Sequence, residues 1–124
     1  MAVNAADVYK RSQQQTASKE NIVTMLYDGA IRFCNQAEVA LDDKNYEEVN
    51  TNIKKAQRII GELIVMLDKK YPVSEDFERV YNYIQDLLMM ANGKKDKEFL
   101  GMAKEQIRGM RETWVEVVKK AKGK

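Results

Sequence analysis

Apolar residues return at every third or fourth position along most of this chain, and one proline, Pro72, is the only one to interrupt them. That period belongs to α-helices with one buried face, because 3.6 residues make a turn; a half-buried strand needs strict alternation instead. Gly is sparse, with six in 124 residues. At that length the chain is most simply one domain, able to bury a core without staples. Hydrophobic residues at 44% and charged residues at 32% suit a helical protein with a wet outer surface.

The pattern predicts an all-α chain, an antiparallel up-down four-helix bundle with a mobile N-terminal arm. Residues 1–17 are polar and aperiodic and form the flexible arm; residues 18–120 form the bundle domain. Helix one is expected from Lys19 to Leu41, with Ser18 as N-cap. Its main stripe is Ile22, Met25, Leu26, Gly29, Ala30, Phe33 and Ala37. Helix two is expected from Tyr46 to Asp68, opened by Asn45 and Glu48 in a capping-box arrangement. Pro72 ends it, leaving Lys69–Val73 as a loop. Helix three starts at Ser74 and stops at Asn92-Gly93; helix four starts near Asp96. Short connections make neighbouring helices antiparallel.

The chain contains no histidine, which removes the commonest general base and metal ligand. Its acidic pairs flank helix ends, where capping explains them. No glycine loop is placed to cradle a phosphate, and no cofactor, metal or catalytic residue is expected. Cys34 is the sole cysteine and reads as a small buried hydrophobe. The net charge of +2 gives no strong pull toward nucleic acid or acidic lipid. No stretch approaches the ~18 apolar residues of a membrane span, and the first residues lack the apolar core of a signal peptide. A cytoplasmic, non-enzymatic protein is expected, with no nucleic-acid partner and no membrane insertion.

Apolar helix surface is in surplus. A bundle helix needs one apolar stripe about 100° wide. Here a second stripe runs beside the first: Val23, Tyr27, Ile31 and Cys34 on helix one, Ile59, Leu63 and Met66 on helix two, Tyr83, Leu87 and Met90 on helix three. Such stripes widen a core, make a homodimer face, or line grooves that accept a partner helix. Periodicity alone leaves these open. Seven methionines suit an adaptable surface, though methionine also fills ordinary cores. A basic tail at Lys119, Lys120, Lys122 and Lys124 leaves an RNA-binding bundle as a third, weaker reading.

Several short strings add to this. Tyr9, Thr16-Ala17-Ser18 and Met25-Leu26-Tyr27-Asp28-Gly29 stand in order, followed by Ala56-Gln57, Ile59-Ile60 and Glu62-Leu63. Tyr81 and Tyr83, Ala91-Asn92, Lys95-Asp96 and Arg111-Glu112-Thr113-Trp114 complete the series. Together they resemble the FliS family of flagellar secretion chaperones, which hold flagellin before export. The resemblance covers most of the chain. It departs at Lys19, where proline is usual, at Ala6 and Gln14 in the arm, and at Asp86-Leu87, where two arginines are frequent.

The resemblance implies a chaperone that binds the disordered C-terminal segment of flagellin, prevents premature polymerisation and aids delivery to the flagellar type III export apparatus. The cytosolic domain of the export gate is a further implied partner, and the free chain is expected as a monomer or weak dimer. The expected client groove is Val23, Tyr27, Ile31, Ile59, Met66, Tyr83, Leu87 and Met90, in part facing solvent. Val8 and Tyr9 of the arm are expected to dock on the bundle or the gate. The alternative is a structural homodimeric bundle without a client.

Overall fold

The computed structural model describes residues 18–123. Every regular element among them is an α-helix: α1 (Lys19–Asp42), α2 (Tyr46–Val65), α3 (Val73–Lys94) and α4 (Lys97–Lys122). The expected docking of Val8 and Tyr9 lies outside the described residues.

Three of the helices open on a side-chain cap. Ser18 Oγ accepts from the Asn21 amide at 3.2 Å, Asn45 Oδ1 from the Glu48 amide at 3.3 Å, and Asp96 Oδ1 from the Glu98 amide at 2.8 Å. Each satisfies one of the orphan donors of a first turn, a contribution of ~1 kcal/mol. α3 opens differently. Pro72 itself is the cap residue, in the helical region of backbone space, and no side chain caps the turn.

Four boundaries differ from the sequence expectation, two of them by one residue: α1 runs to Asp42 and not Leu41, and α3 begins at Val73, inside the expected loop, and not at Ser74. α2 stops at Val65, short of Asp68, because its last turn tightens: the Leu67 amide bonds to Ile64 O at 3.2 Å. α3 does not stop at Asn92-Gly93 but runs through both to Lys94. Asn92 is held in the helix by a bond from its Nδ2 to Asn50 Oδ1 of α2 at 2.7 Å. The turn is made by Lys95, at φ 51° in the left-handed region. Its amide and that of Asp96 both return to Ala91 O.

Segments 43–45 and 95–96 are too short to let the next helix run parallel. A 20-residue helix is 30 Å long, whereas three residues span at most ~11 Å. α1 packs on α2 and α4, and α3 packs on the same two, so the four helices form a closed square. The core is filled by Tyr27, Ile53, Ile60, Ile84, Leu88, Leu100 and Ile107, all fully buried. Ala30, Ala37, Ala56, Ala91 and Ala103 are buried between them and let the backbones approach. Each buried Leu or Ile stabilises the fold by roughly 1.5–3 kcal/mol, so the apolar stripes outweigh the caps.

The phase of α1 differs from the expected main stripe. Val23, Tyr27, Ala30, Cys34 and Ala37 are buried, while Ile22 and Met25 are exposed and Leu26 and Phe33 are half-buried. The stripe expected to be secondary points to the centre of the bundle. The reason is a polar one: the Tyr27 hydroxyl finds the Tyr81 hydroxyl inside, and the small Ala30 and Ala37 leave space around the rings.

Candidate functional site

The seams between the helices are of two kinds. The α1–α4 seam is joined by Asp42–Lys97 at 2.9 Å, Glu38–Lys104 at 2.6 Å and Asp28–Arg111 at 2.5 Å, and by Trp114 Nε1 donating to Glu20 O at 3.2 Å. The α2–α3 seam carries the Asn50–Asn92 bond and Gln85 Nε2 donating to Gln57 O at 2.9 Å. The two remaining seams lie on opposite sides of the square and set cations over apolar contacts, Arg32 and Lys55 over Phe33 on one and Lys94 over Phe99 on the other.

On α3, Gln85 and Asn92 mark the flank facing α2. The helical step of 100° per residue puts Val80, Leu87 and Ala91 on the other flank, facing α4. Leu87 is buried there, and Tyr83 and Met90 stand just outside it, 44% and 36% exposed. Met102 of α4, on the flank away from the α1 ion pairs, is also exposed. Tyr83, Met90 and Met102 therefore form an apolar strip along the outer edge of the α3–α4 seam.

A pocket of about 600 Å³ opens at the end of the bundle where α1 and α3 begin and α2 and α4 finish. Val23, Leu63, Met66, Leu67, Phe77 and Trp114 supply its apolar lining, with Tyr81 at its inner side. It exists because the chain turns away at residues 66–72 while the α4 stripe continues through Trp114 to Val117 and Val118. The Ser74 hydroxyl beside it is buried without a hydrogen-bond partner among the described residues.

The expected groove residues separate into three groups. Val23, Tyr27 and Leu87 are not surface residues: they are 5%, 0% and 3% exposed. Their spacing resembled a second stripe because helix periodicity reports the width of an apolar face and not its centre. Ile31, Ile59 and Met66 are half-buried against the core. Tyr83 and Met90 are on the surface. The residues that sequence reasoning did not single out are Met102 and the Phe77, Leu67, Trp114 and Val118 wall of the end pocket. The signal for the pocket was present as an α4 stripe longer than the helix beside it needs.

Titration follows burial. Tyr27 and Tyr81 both have their pKa values shifted upward, chiefly by desolvation, so both keep their protons and share one hydrogen bond. Burial, with a smaller push from Glu38, moves the Cys34 thiol up to about 12, well away from a reactive thiolate. Lys97 is held protonated above its ordinary range by its bond to Asp42. Among the described residues no cluster of carboxylates and cysteine has metal-ligand geometry, and no helix is long and apolar enough to cross a membrane.

A tightly packed core, two polar seams, two apolar seams and an open apolar end define a four-helix-bundle protein with apolar surface left at its faces and one end. Its sequence narrows this further. The family model for the flagellar protein FliS matches residues 2–121. The chain is 29% identical over 115 residues to the flagellar secretion chaperone FliS of Bacillus subtilis strain 168, covering 93% of this chain and 86% of the relative. It is 30% identical over 115 residues to the protein of that name from Campylobacter jejuni serotype O:6, covering 91% and 90%. With the namesake of Escherichia coli K12 it shares 27% over 114 residues, covering 90% and 84%. The chain belongs to the FliS family of flagellar secretion chaperones.

Proposed function

We propose that this chain is a cytoplasmic export chaperone for flagellin. It binds the disordered C-terminal segment of flagellin, prevents premature polymerisation and aids delivery to the flagellar type III export apparatus. The observation that carries this reading is the family match over residues 2–121. The surface supports it: an apolar strip and an apolar end pocket are where an amphipathic segment would lose its exposed face to the chaperone.

The client site in this reading is the end pocket with Met66, continued along Tyr83, Met90 and Met102. Ordering a disordered segment costs roughly 2–5 kcal/mol. Each Leu-sized anchor buried returns roughly 1.5–3 kcal/mol, so three or four anchors suffice. Val8 and Tyr9 dock on the bundle or on the cytosolic domain of the export gate, and the arm regulates client delivery.

The test is co-expression with a flagellin C-terminal peptide followed by size-exclusion chromatography and native mass spectrometry. One chain with one peptide is the expected species. A homodimer that takes up no peptide would refute the reading and leave a structural bundle.

A further inference from the structure

The α1–α2 seam, opposite the strip assigned to flagellin, has its own chemistry. Arg32 of α1 and Lys55 of α2 converge on one aromatic ring, their charged groups 5.2 Å and 5.4 Å from the centroid of Phe33. Arg58 lies one turn from Lys55, and Lys54 beside it; all four cations are exposed. None of the four is in an ion pair among the described residues, whereas on the α1–α4 seam Lys97, Lys104 and Arg111 each hold a carboxylate. Glu62, one turn beyond Arg58, does not reach it as an ion pair.

The floor between these cations is apolar. Ile22 and Met25 are exposed, and Leu26, Phe33 and Ile59 are half-buried. Gly29 keeps the floor low: a Cβ there would stand 3.2 Å from Ile59 Cδ1. A surface that is apolar along its floor and uncompensated in positive charge at its rim has a definite complement.

We propose that the α1–α2 face is a second docking surface, and that its occupant is an acidic amphipathic helix of a protein partner other than the flagellin segment. The aliphatic residues meet the apolar stripe of that helix, and Arg32, Lys55 and Arg58 meet carboxylates flanking the stripe. Charge complementarity selects an acidic occupant. The floor sets Ile22, Met25, Leu26 and Ile59 around the single ring of Phe33, which selects a protein helix over nucleic acid, whose bases stack on successive aromatic platforms along a continuous basic track. Because the α3–α4 strip is on the opposite side of the square, a helix on the α1–α2 face leaves that strip free for flagellin.

The test uses the full chain and a designed amphipathic peptide of about five turns, Leu on one face and Glu on its flanks, with a twin carrying Lys for Glu. Fluorescence anisotropy at about 50 mM and 300 mM salt reads the affinities. The Glu peptide is expected to bind about tenfold or more tightly than its twin and to weaken with salt. In the variant K55E/R58E the preference between peptides disappears or inverts, while the thermal midpoint and uptake of the flagellin peptide stay unchanged. Equal affinity for the two peptides overturns the proposal. So does loss of flagellin uptake in the folded variant, which would merge the two surfaces. A single-stranded RNA oligonucleotide or phosphatidylglycerol vesicles binding more strongly than the Glu peptide overturns it in favour of that class. Failure of flagellin binding to the unaltered chain, with the charge preference intact, refutes the chaperone reading alone.

Discussion

The hydroxyls of Tyr27 and Tyr81 meet inside the bundle, 54 residues apart in sequence, in a place where neither reaches water. Each is the other's hydrogen-bond partner. Tyr27→Phe or Tyr81→Phe alone leaves a buried hydroxyl unpaired and is expected to destabilise by about 1–3 kcal/mol in urea unfolding. The double variant should recover much of that loss, because two apolar rings replace a satisfied pair. Additive losses would mean that the two hydroxyls do not depend on one another. Cys34 makes a different prediction. Its thiol holds its proton in the fold up to about 12 because it is buried, while the ordinary value is 9.0. Below about pH 9 folded and unfolded chains are both protonated there, and stability does not depend on this group. Above it the unfolded chain gives up a proton the folded chain retains, so stability falls as pH rises toward 12. Tyr27 and Tyr81, shifted upward from 10.0, add to the fall at higher pH. The thermal midpoint is expected to begin dropping near pH 9, and Cys34→Ala to move that onset upward by about one pH unit. An unchanged onset in the variant assigns the alkaline fall to the tyrosines alone.

α3 separates the two uses of an apolar residue within one turn of helix. Leu87 lies against α4 inside the square, and Tyr83 stands one turn before it at the surface. Leu87→Asp would strand a carboxylate in the core and is expected to cost about 3 kcal/mol or more, enough to unfold a bundle of this size. Tyr83→Asp should change unfolding free energy by no more than about 0.5 kcal/mol. It should nevertheless weaken flagellin-peptide binding about tenfold, since ~1.4 kcal/mol of lost contact is a factor of ten. Circular dichroism melts and peptide titrations on the two variants check this. A folded Leu87→Asp would displace that position from the core, and a Tyr83→Asp that binds normally would remove the α3–α4 strip from the client site. α1 carries the same division with the opposite lesson. Its exposed Ile22 and Met25 look like core residues in the sequence, and its buried Val23 and Tyr27 look like an accessory stripe.

Across the bundle, polarity alternates around the square: polar seam, apolar seam, polar seam, apolar seam. The polar seams align α1 with α4 and α2 with α3. Glu38–Lys104 is the most shielded of their ion pairs, with side chains 20% and 18% exposed, and the others are screened by water. Packing of the core therefore supplies most of the stability, and the polar links act chiefly on register. This arrangement leaves two opposite apolar faces and one open end, without weakening the interior that holds the helices together.

Helix number, type and most caps were legible in the residues themselves, because an N-cap, a 3.6-residue period and a proline act over a few neighbouring positions. Ser18, Asn45 and Asp96 cap as their positions in sequence require. Family membership was legible too, since it rests on strings such as Met25-Leu26-Tyr27-Asp28-Gly29 in order along the chain. The centre of each apolar face was not. Val23, Tyr27 and Leu87 sit inside and Met25 sits outside because of what stands across from them, and a partner on another helix leaves no mark in local spacing. The end pocket and the convergence of Arg32 and Lys55 on Phe33 arise in the same way. Each is made by residues more than 20 positions apart, and only the packing of the helices brings them together.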